Sequence, residues 1–225
     1  MINFGALFKV SYGLYVVSSG NKERGNGFIS NTVFQVTAEP PRFAATCNKN
    51  NLTAEYIRES GAFAVSVLHQ DTPPEIFGRF GYKSGKDFNK MEGMSVVYGV
   101  TGVPIVLDDT IAYLECKVME TVDVGTHFIF IGELIQSKIL DDSKEPMTYA
   151  FYRQVRKGFA PKNAPTFVHK SKLEGTAGTA ASKKYKCSAC GHIYDDATEK
   201  VKFTELPLDW VCPACGAEKI DFIEI

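Results

Sequence analysis

Residues 111–139 read IAYLECKVMETVDVGTHFIFIGELIQSKI. Two long runs of Val, Ile, Phe, Tyr and Thr flank Asp123, Val124 and Gly125. β-Branched and aromatic side chains fit a pleated surface, and the glycine permits a tight reversal. The stretch therefore predicts two strands joined as an antiparallel hairpin. Working outward, the same composition recurs at 14–19, 27–37, 42–47, 62–68 and 95–100. Two short helices fit between these runs. LTAEYIRES, 52–60, ends at Gly61, and PPEIFGRF, 73–80, opens on two prolines. Strands and helices do not alternate, so a doubly wound parallel sheet is disfavoured. The expected fold class is mainly β: a closed or nearly closed antiparallel barrel with short helices.

The 225 residues carry a net charge of −1, and no basic run interleaves with aromatics, which argues against a nucleic-acid partner. MINFGALFKV lacks the basic leader and long apolar core of a signal peptide. The best apolar run, FIFIGELI, is strand-sized against the ~20 residues a bilayer needs, so no membrane partner is expected. The expected location is cytoplasmic. In that reducing compartment, paired Cys-x-x-Cys motifs favour metal or redox chemistry over disulfides. Of six cysteines, Cys47 and Cys116 sit in apolar runs and read as small buried hydrophobes.

The other four occur as Cys187 and Cys190, then, after 21 intervening residues, Cys212 and Cys215. Each pair can wrap a knuckle around one metal, and two knuckles complete a tetrahedron of sulfur. Gly191 and Gly216 follow the pairs and permit the positive φ that turns backbone N–H groups towards sulfur. Tetrahedral sulfur alone fits a structural zinc or a redox iron. Tyr185, Tyr194, Phe203, Trp210 and Phe222 supply five aromatics in 43 residues. They can wall the site off from water, which suits a one-electron carrier more than a zinc ribbon. The segments YKCSACGHIYD and FTELPLDWVCPACGAEKIDF together resemble a rubredoxin over the whole tail. His192 stands where that family commonly has tyrosine, and the loop between the pairs is shorter than usual. Four thiolates saturate the site, so His192 reads as a solvent-facing neighbour. The resemblance implies one iron held by Cys187, Cys190, Cys212 and Cys215.

Residues 169–182, HKSKLEGTAGTAAS, are small, polar and without periodicity, as a flexible linker should be. Fourteen such residues have a root-mean-square span of roughly 20 Å. The expected organisation is a first domain over 1–168, a linker over 169–182 and a metal domain over 183–225.

Three stretches of the first domain bear on a ligand. GNGFISNT, 25–32, is not a dinucleotide loop, because Ser30 occupies the last glycine's place in G-x-G-x-x-G. Its small polar groups could instead bond the edge of a flat heteroaromatic ring, or could simply face solvent. CNKNNLT, 47–53, follows a strand and opens a helix; its amides and Lys49 could take a phosphate, and Asn51 or Thr53 could cap the helix. His127 stands at the mouth of the hairpin and could be structural or catalytic.

In order, these stretches resemble the flavin reductase-like, FMN-binding split-barrel family over roughly residues 5–155. The resemblance implies that Asn26, Gly27, Phe28, Ser30, Asn31 and Thr32 line the isoalloxazine. It implies that Cys47, Asn48, Lys49, Asn50, Asn51 and Thr53 hold its polar edge and phosphate. Phe80, Ser84 and Lys86, from RFGYKSGKDF at 79–88, are further cofactor candidates. His127 would lie where the nicotinamide of NAD(P)H arrives. The family pairs two barrels, so a homodimer is expected.

A nicotinamide delivers two electrons as hydride, and a single iron held by four thiolates accepts one. A flavin handles both and can stand between them. The combination resembles the high-molecular-weight rubredoxins. It implies an NAD(P)H-dependent reductase that passes electrons from FMN to its own iron and on to an external protein, with a flavodiiron protein of O2 or NO detoxification as recipient. Two rival readings remain: a reductase releasing reduced flavin with a zinc-bound tail, and a relay whose flavin is filled by another protein.

Overall fold

The computed structural model describes residues 2–169, 172, 183–199, 201–207 and 209–225. The chain divides into two compact units, 1–169 and 170–225. Most of the expected linker, 170, 171 and 173–182, lies outside the described residues.

The first unit carries nine strands: β1 (Tyr15–Gly20), β2 (Gly25–Ser30), β3 (Val33–Ala38), β4 (Pro41–Asn48), β5 (Ala62–Leu68), β6 (Val96–Tyr98), β7 (Pro104–Val106), β8 (Thr110–Asp123) and β9 (His127–Ile139). Its helices are α1 (Leu52–Ser60), α2 (Pro74–Phe77) and α3 (Tyr149–Gln154). Seven strands form one sheet in the order β2-β1-β5-β8-β9-β4-β3, every pairing antiparallel; β6 and β7 form a separate ribbon. The hairpin expected from 111–139 is the β8–β9 pair, turned at Gly125 with φ +92°.

The run expected as one segment at 27–37 is two strands. β2 and β3 lie at opposite edges of the sheet yet are joined by Asn31 and Thr32 alone. Laid flat, seven strands would separate those edges by about 29 Å. The connection from Ser30 to Val33 reaches only about 10 Å. The sheet must therefore curl until its edges meet, and a two-residue link dictates the barrel. No ladder forms between β2 and β3 among the described residues, which leaves the barrel split there.

Inside it, Val17, Phe63, Val65, Cys47, Cys116 and Phe130 pack with Ala54 and Ile57 of α1. A side chain at Gly132 of β9 would strike the Phe63 ring, so glycine is what lets that ring lie on the strand. A second cluster, with Leu14, Val16, Leu68, Phe77, Phe80 and Met147, covers the other face of β1. Burial on both faces explains why YVVSS shows no clean alternation. Helix α1 starts on the Asn51 side chain, which accepts from the Thr53 N–H (3.1 Å), and ends at Gly61 in the left-handed region (φ +66°). Thr53 is not the cap; its hydroxyl is buried and accepts from the Asn26 side chain.

The second unit has a three-stranded sheet, β11-β10-β12, from β10 (Lys184–Cys187), β11 (Ile193–Asp195) and β12 (Phe222–Glu224). Its core is the five aromatics together with Cys187 and Cys212. Phe203 lies at the centre, stacked on Tyr185 at 4.2 Å and edge-on to Trp210 at 5.8 Å.

Candidate flavin cavity and metal centre

In the second unit the four thiol sulfurs lie within 4.8 Å of one another. Cys187 Sγ is 3.8 Å from Cys215 Sγ, and Cys190 Sγ is 3.8 Å from Cys212 Sγ. A tetrahedron with metal–sulfur bonds of about 2.3 Å has an edge of about 3.8 Å, so the cage has the size of a metal site. The two knuckles are near copies. Gly191 N–H reaches the Cys187 carbonyl and Gly216 N–H the Cys212 carbonyl; both glycines are left-handed, at φ +78° and +76°. The Cys187 and Cys212 amides in turn donate to the carbonyls of His192 and Ala217. Burial opposes ionisation of Cys187, but the amides of Cys190 and Ala189 aimed at its sulfur and the thiols of Cys190 and Cys215 together outweigh it and bring the thiol down to about 7. Cys187 and Cys212 are buried and Cys190 and Cys215 are exposed, giving the cage one dry and one open side. His192 is half-buried and stands outside the sulfur group; it contributes its carbonyl.

In the barrel unit a cavity of about 340 Å³ opens beside the β2 edge. That lies in the range of small-molecule sites, ~300–1,000 Å³. Three chain segments singled out in the sequence meet there. Phe28 and Ser30 come from β2, Asn48 from the end of β4, Asn50 and Asn51 from the β4–α1 connection, and Phe80 and Ser84 from the turn after α2. A neighbouring cavity of about 590 Å³ is lined by Lys49, Gly125, Thr126 and His127. Lys49 is paired there with Asp123.

Seven other candidates line neither cavity. Asn31 bonds Thr166, and the Gly27 carbonyl accepts from Lys90. Asn26 and Thr32 are each left with a buried oxygen that has no partner among the described residues. Thr53 is buried and Lys86 exposed. Cys47 points into the barrel core: side chains alternate along β4, so Thr46 and Asn48 face the cavity and the residue between them cannot.

The sequence reading did not single out Lys90, which lines the cavity while 3 % exposed. Its ammonium donates to the carbonyls of Gly27 (3.0 Å) and Phe80 (3.2 Å), and burial brings it down to about 8. Nor did it single out residues 162–165, which wall both cavities, or Pro161, which walls the first. The only signal for either was position: one lysine shortly after RFGYKSGKDF, and a Pro-rich stretch before the linker.

The donor set suits a flavin. A flat ring with polar edges can rest on Phe28 and Phe80 while amide side chains and backbone meet its heteroatoms. The cavity is crossed by Gly81 and Gly85, and a side chain at Gly85 would strike Asn26. The glycine keeps chain and ligand space close, and the bare Asn26 oxygen lies beside it. Positive charge at the phosphate end is at hand in Lys83 and Lys162. His127 Nε2 lies 3.1 Å from the Asn163 carbonyl and Nδ1 2.8 Å from the Thr126 hydroxyl. A carbonyl only accepts, so Nε2 carries the proton.

Comparison with known proteins gives the same two parts in the same order. Residues 7–158 match the family described as flavin reductase like domain, and residues 184–222 match rubredoxin. The high molecular weight rubredoxin of Moorella thermoacetica is 42% identical over 228 residues, 98% of each chain. The ferric-chelate reductase (NAD(P)H) of Archaeoglobus fulgidus is 44% identical over 162 residues, 72% of this chain and 95% of that one. Among solved structures, flavoredoxin from Methanosarcina acetivorans superposes with a TM-score of 0.54 at 27% identity, covering 58% of this chain and 69% of that chain. The chain belongs to the flavin reductase-like family, in the high-molecular-weight rubredoxin form that carries a rubredoxin unit on the same polypeptide.

Proposed function

We propose that the chain is an NAD(P)H-dependent reductase that fills a bound FMN and empties it, one electron at a time, into its own four-thiolate iron. The observation that carries this reading is the presence, on one polypeptide, of a cavity with a flavin's donor pattern and a four-thiolate cage of metal size. When bound, the flavin converts a two-electron donor into single electrons, which neither a nicotinamide nor one iron can do. The protein's own groups bind and orient. Phe28 and Phe80 floor the ring. Ser30, Asn48, Asn50, Asn51 and Ser84 meet its polar edge and phosphate. Lys90 holds β2 to the turn after α2 and brings positive charge to the cavity wall. His127, protonated on Nε2, marks the side from which the donor arrives. Cys187, Cys190, Cys212 and Cys215 hold the iron, and the open side at Cys190 and Cys215 is its outlet. The organisation is a barrel domain over 1–168, a tether over 169–182 and a rubredoxin domain over 183–225.

The external acceptor in this reading is a flavodiiron protein, the recipient that high-molecular-weight rubredoxins serve in O2 and NO removal, and the setting is cytoplasmic. Among the described residues no helix is long and apolar enough to cross a membrane. A second copy of the barrel fits the apolar groove lined by Tyr12, Val33, Phe34 and Met147, beside exposed Phe34 and Val36 of β3. The test is elemental and flavin analysis of the full chain, followed by anaerobic addition of NADH. Bound FMN, one iron per chain and bleaching of both support the reading. Zinc with an otherwise active flavin would favour the reductase that releases reduced flavin, and a flavin indifferent to NADH would favour the relay.

A further inference from the structure

The two cavities of the barrel unit share a wall. Asn48 and Asn50 line both, and so do residues 162–165. The latter belong to a strap without helix or strand that follows α3. Its near end is pinned: the Arg156 guanidinium donates to the carbonyls of Gln70 (3.0 Å) and Thr72 (2.9 Å). Beyond that point, the backbone hydrogen bonds of 161–167 among the described residues close turns inside the strap, from Ala164 to Pro161 and from Phe167 to Ala164. Side chains of the barrel do the holding. Asn31 donates to the Thr166 hydroxyl at 2.7 Å, and the Asn163 carbonyl accepts from Asn48 (3.3 Å) and from His127 (3.1 Å).

A hydride passes only between atoms about 3–3.5 Å apart. With the strap down, His127 faces one compartment, Phe28, Ser30 and Phe80 face the other, and residues 162–165 are part of the wall between them. We infer that residues 161–167 are a gate, and that Asn163 must leave Asn48 and His127 before a dinucleotide donor can lie against the flavin. The inference rests on the flavin reading above and adds its regulation. The His127 ring is then a latch with the strap closed and is freed for the donor with the strap open. Exchanging one carbonyl for a ligand group leaves no buried donor stranded in either state. The hold is a handful of side-chain bonds and the apolar wall that Pro161 and Ala164 share with Leu14, Ile29 and Phe77, none of it a sheet hydrogen bond, so the gate opens without disturbing the sheet.

The test uses the full chain loaded with metal and FMN, and the variant Thr166→Val. Thr166 lines neither cavity, and the substitution removes its bonds to Asn31 and Tyr149. Amide hydrogen exchange at Ala164 and Phe167 is followed with and without NAD+, which occupies a donor site but cannot deliver hydride. The gate requires exchange at these amides to rise at least tenfold with NAD+. In Thr166→Val they should exchange faster without any dinucleotide. The NADH concentration for half-maximal flavin reduction, measured at saturating FMN, should fall at least threefold to tenfold, the worth of one of the two hydrogen bonds lost, with the maximal rate kept. Exchange that stays unchanged or slows with NAD+ overturns the gate, as does an NADH requirement that is unchanged in the variant. Failure of the wild-type chain to bind FMN in a fluorescence titration would refute the flavin reading and the gate together. FMN binding with a strap indifferent to NAD+ refutes the gate alone.

Discussion

The barrel unit and the metal unit reach a fixed fold by different means. The barrel closes on interleaved apolar side chains from seven strands and a helix, with Phe63, Phe130 and Ile57 fully buried. Among its described residues the metal unit has no comparable aliphatic core. Five aromatics and two of the four cysteines make up its interior, so the ligands themselves are packing residues. A unit of about 40 residues buries too little surface to stand alone, and a metal supplies the missing stability. The lesson is that one chain separates its functions by what each part can afford to lose: the barrel can open at a strap, whereas the metal unit cannot yield a ligand.

The most severe way to break this contrast is Cys212→Ser, at a buried ligand. Metal content of the chain should fall to near zero and electron arrival at the rubredoxin unit by a thousandfold or more. FMN affinity, read by fluorescence titration, should stay within about twofold. Equal loss at both sites would show that the units are not separate. Phe63→Ala is the converse. Emptying that site should cost the barrel about 3–5 kcal/mol, seen as a lower melting transition, with the metal unit's own transition unmoved.

Alkaline pH sharpens the same difference. Burial raises the Cys47 thiol above its ordinary value, and Cys116 to about 12. Unfolded thiols ionise near 9 while these stay protonated, so the unfolded state binds fewer protons and stability falls as pH rises from about 9 to 12. Burial of Lys90, brought down to about 8, acts in the opposite sense between about 8 and 10.5. Chemical denaturation of Cys116→Ala against the parent should therefore show a shallower alkaline decline in the variant. Smaller again is Gly216→Ala, where a left-handed residue in open space should cost about 1–2 kcal/mol in the metal unit alone. Smallest is Asn51→Ala, about 1 kcal/mol in the barrel from the lost helix cap.

The two units also differed in how far they could be read from sequence. The metal site is local: two Cys-x-x-Cys pairs with their glycines and aromatics state it within 40 residues, and the knuckles folded as those spacings require. The hairpin at 111–139 was equally legible, because β-branched runs and one glycine leave little choice. The break inside 27–37 was hidden, since Asn31 and Thr32 carry no glycine or proline to mark a link. That link is what closes the barrel. The candidate flavin cavity draws on segments more than a hundred residues apart; residue type nominated Asn48 and the family resemblance nominated Ser84, but neither reached Lys90 or Asn163. Cys47 shows a subtler limit: the segment was in place, but strand parity turned this one side chain to the core. At α1 the sequence left Asn51 and Thr53 as rival caps, and only the geometry chose.

The account turns on electrons crossing from flavin to the four-thiolate metal within one chain. Anaerobic stopped-flow mixing of the full-length, metal- and FMN-loaded protein with NADH tests it directly, with absorbance followed at the flavin band and at the red iron–thiolate band. The expected result is that the flavin is reduced first and the red colour bleaches afterwards without an added mediator. A reduced flavin beside an iron that stays oxidised would contradict the account.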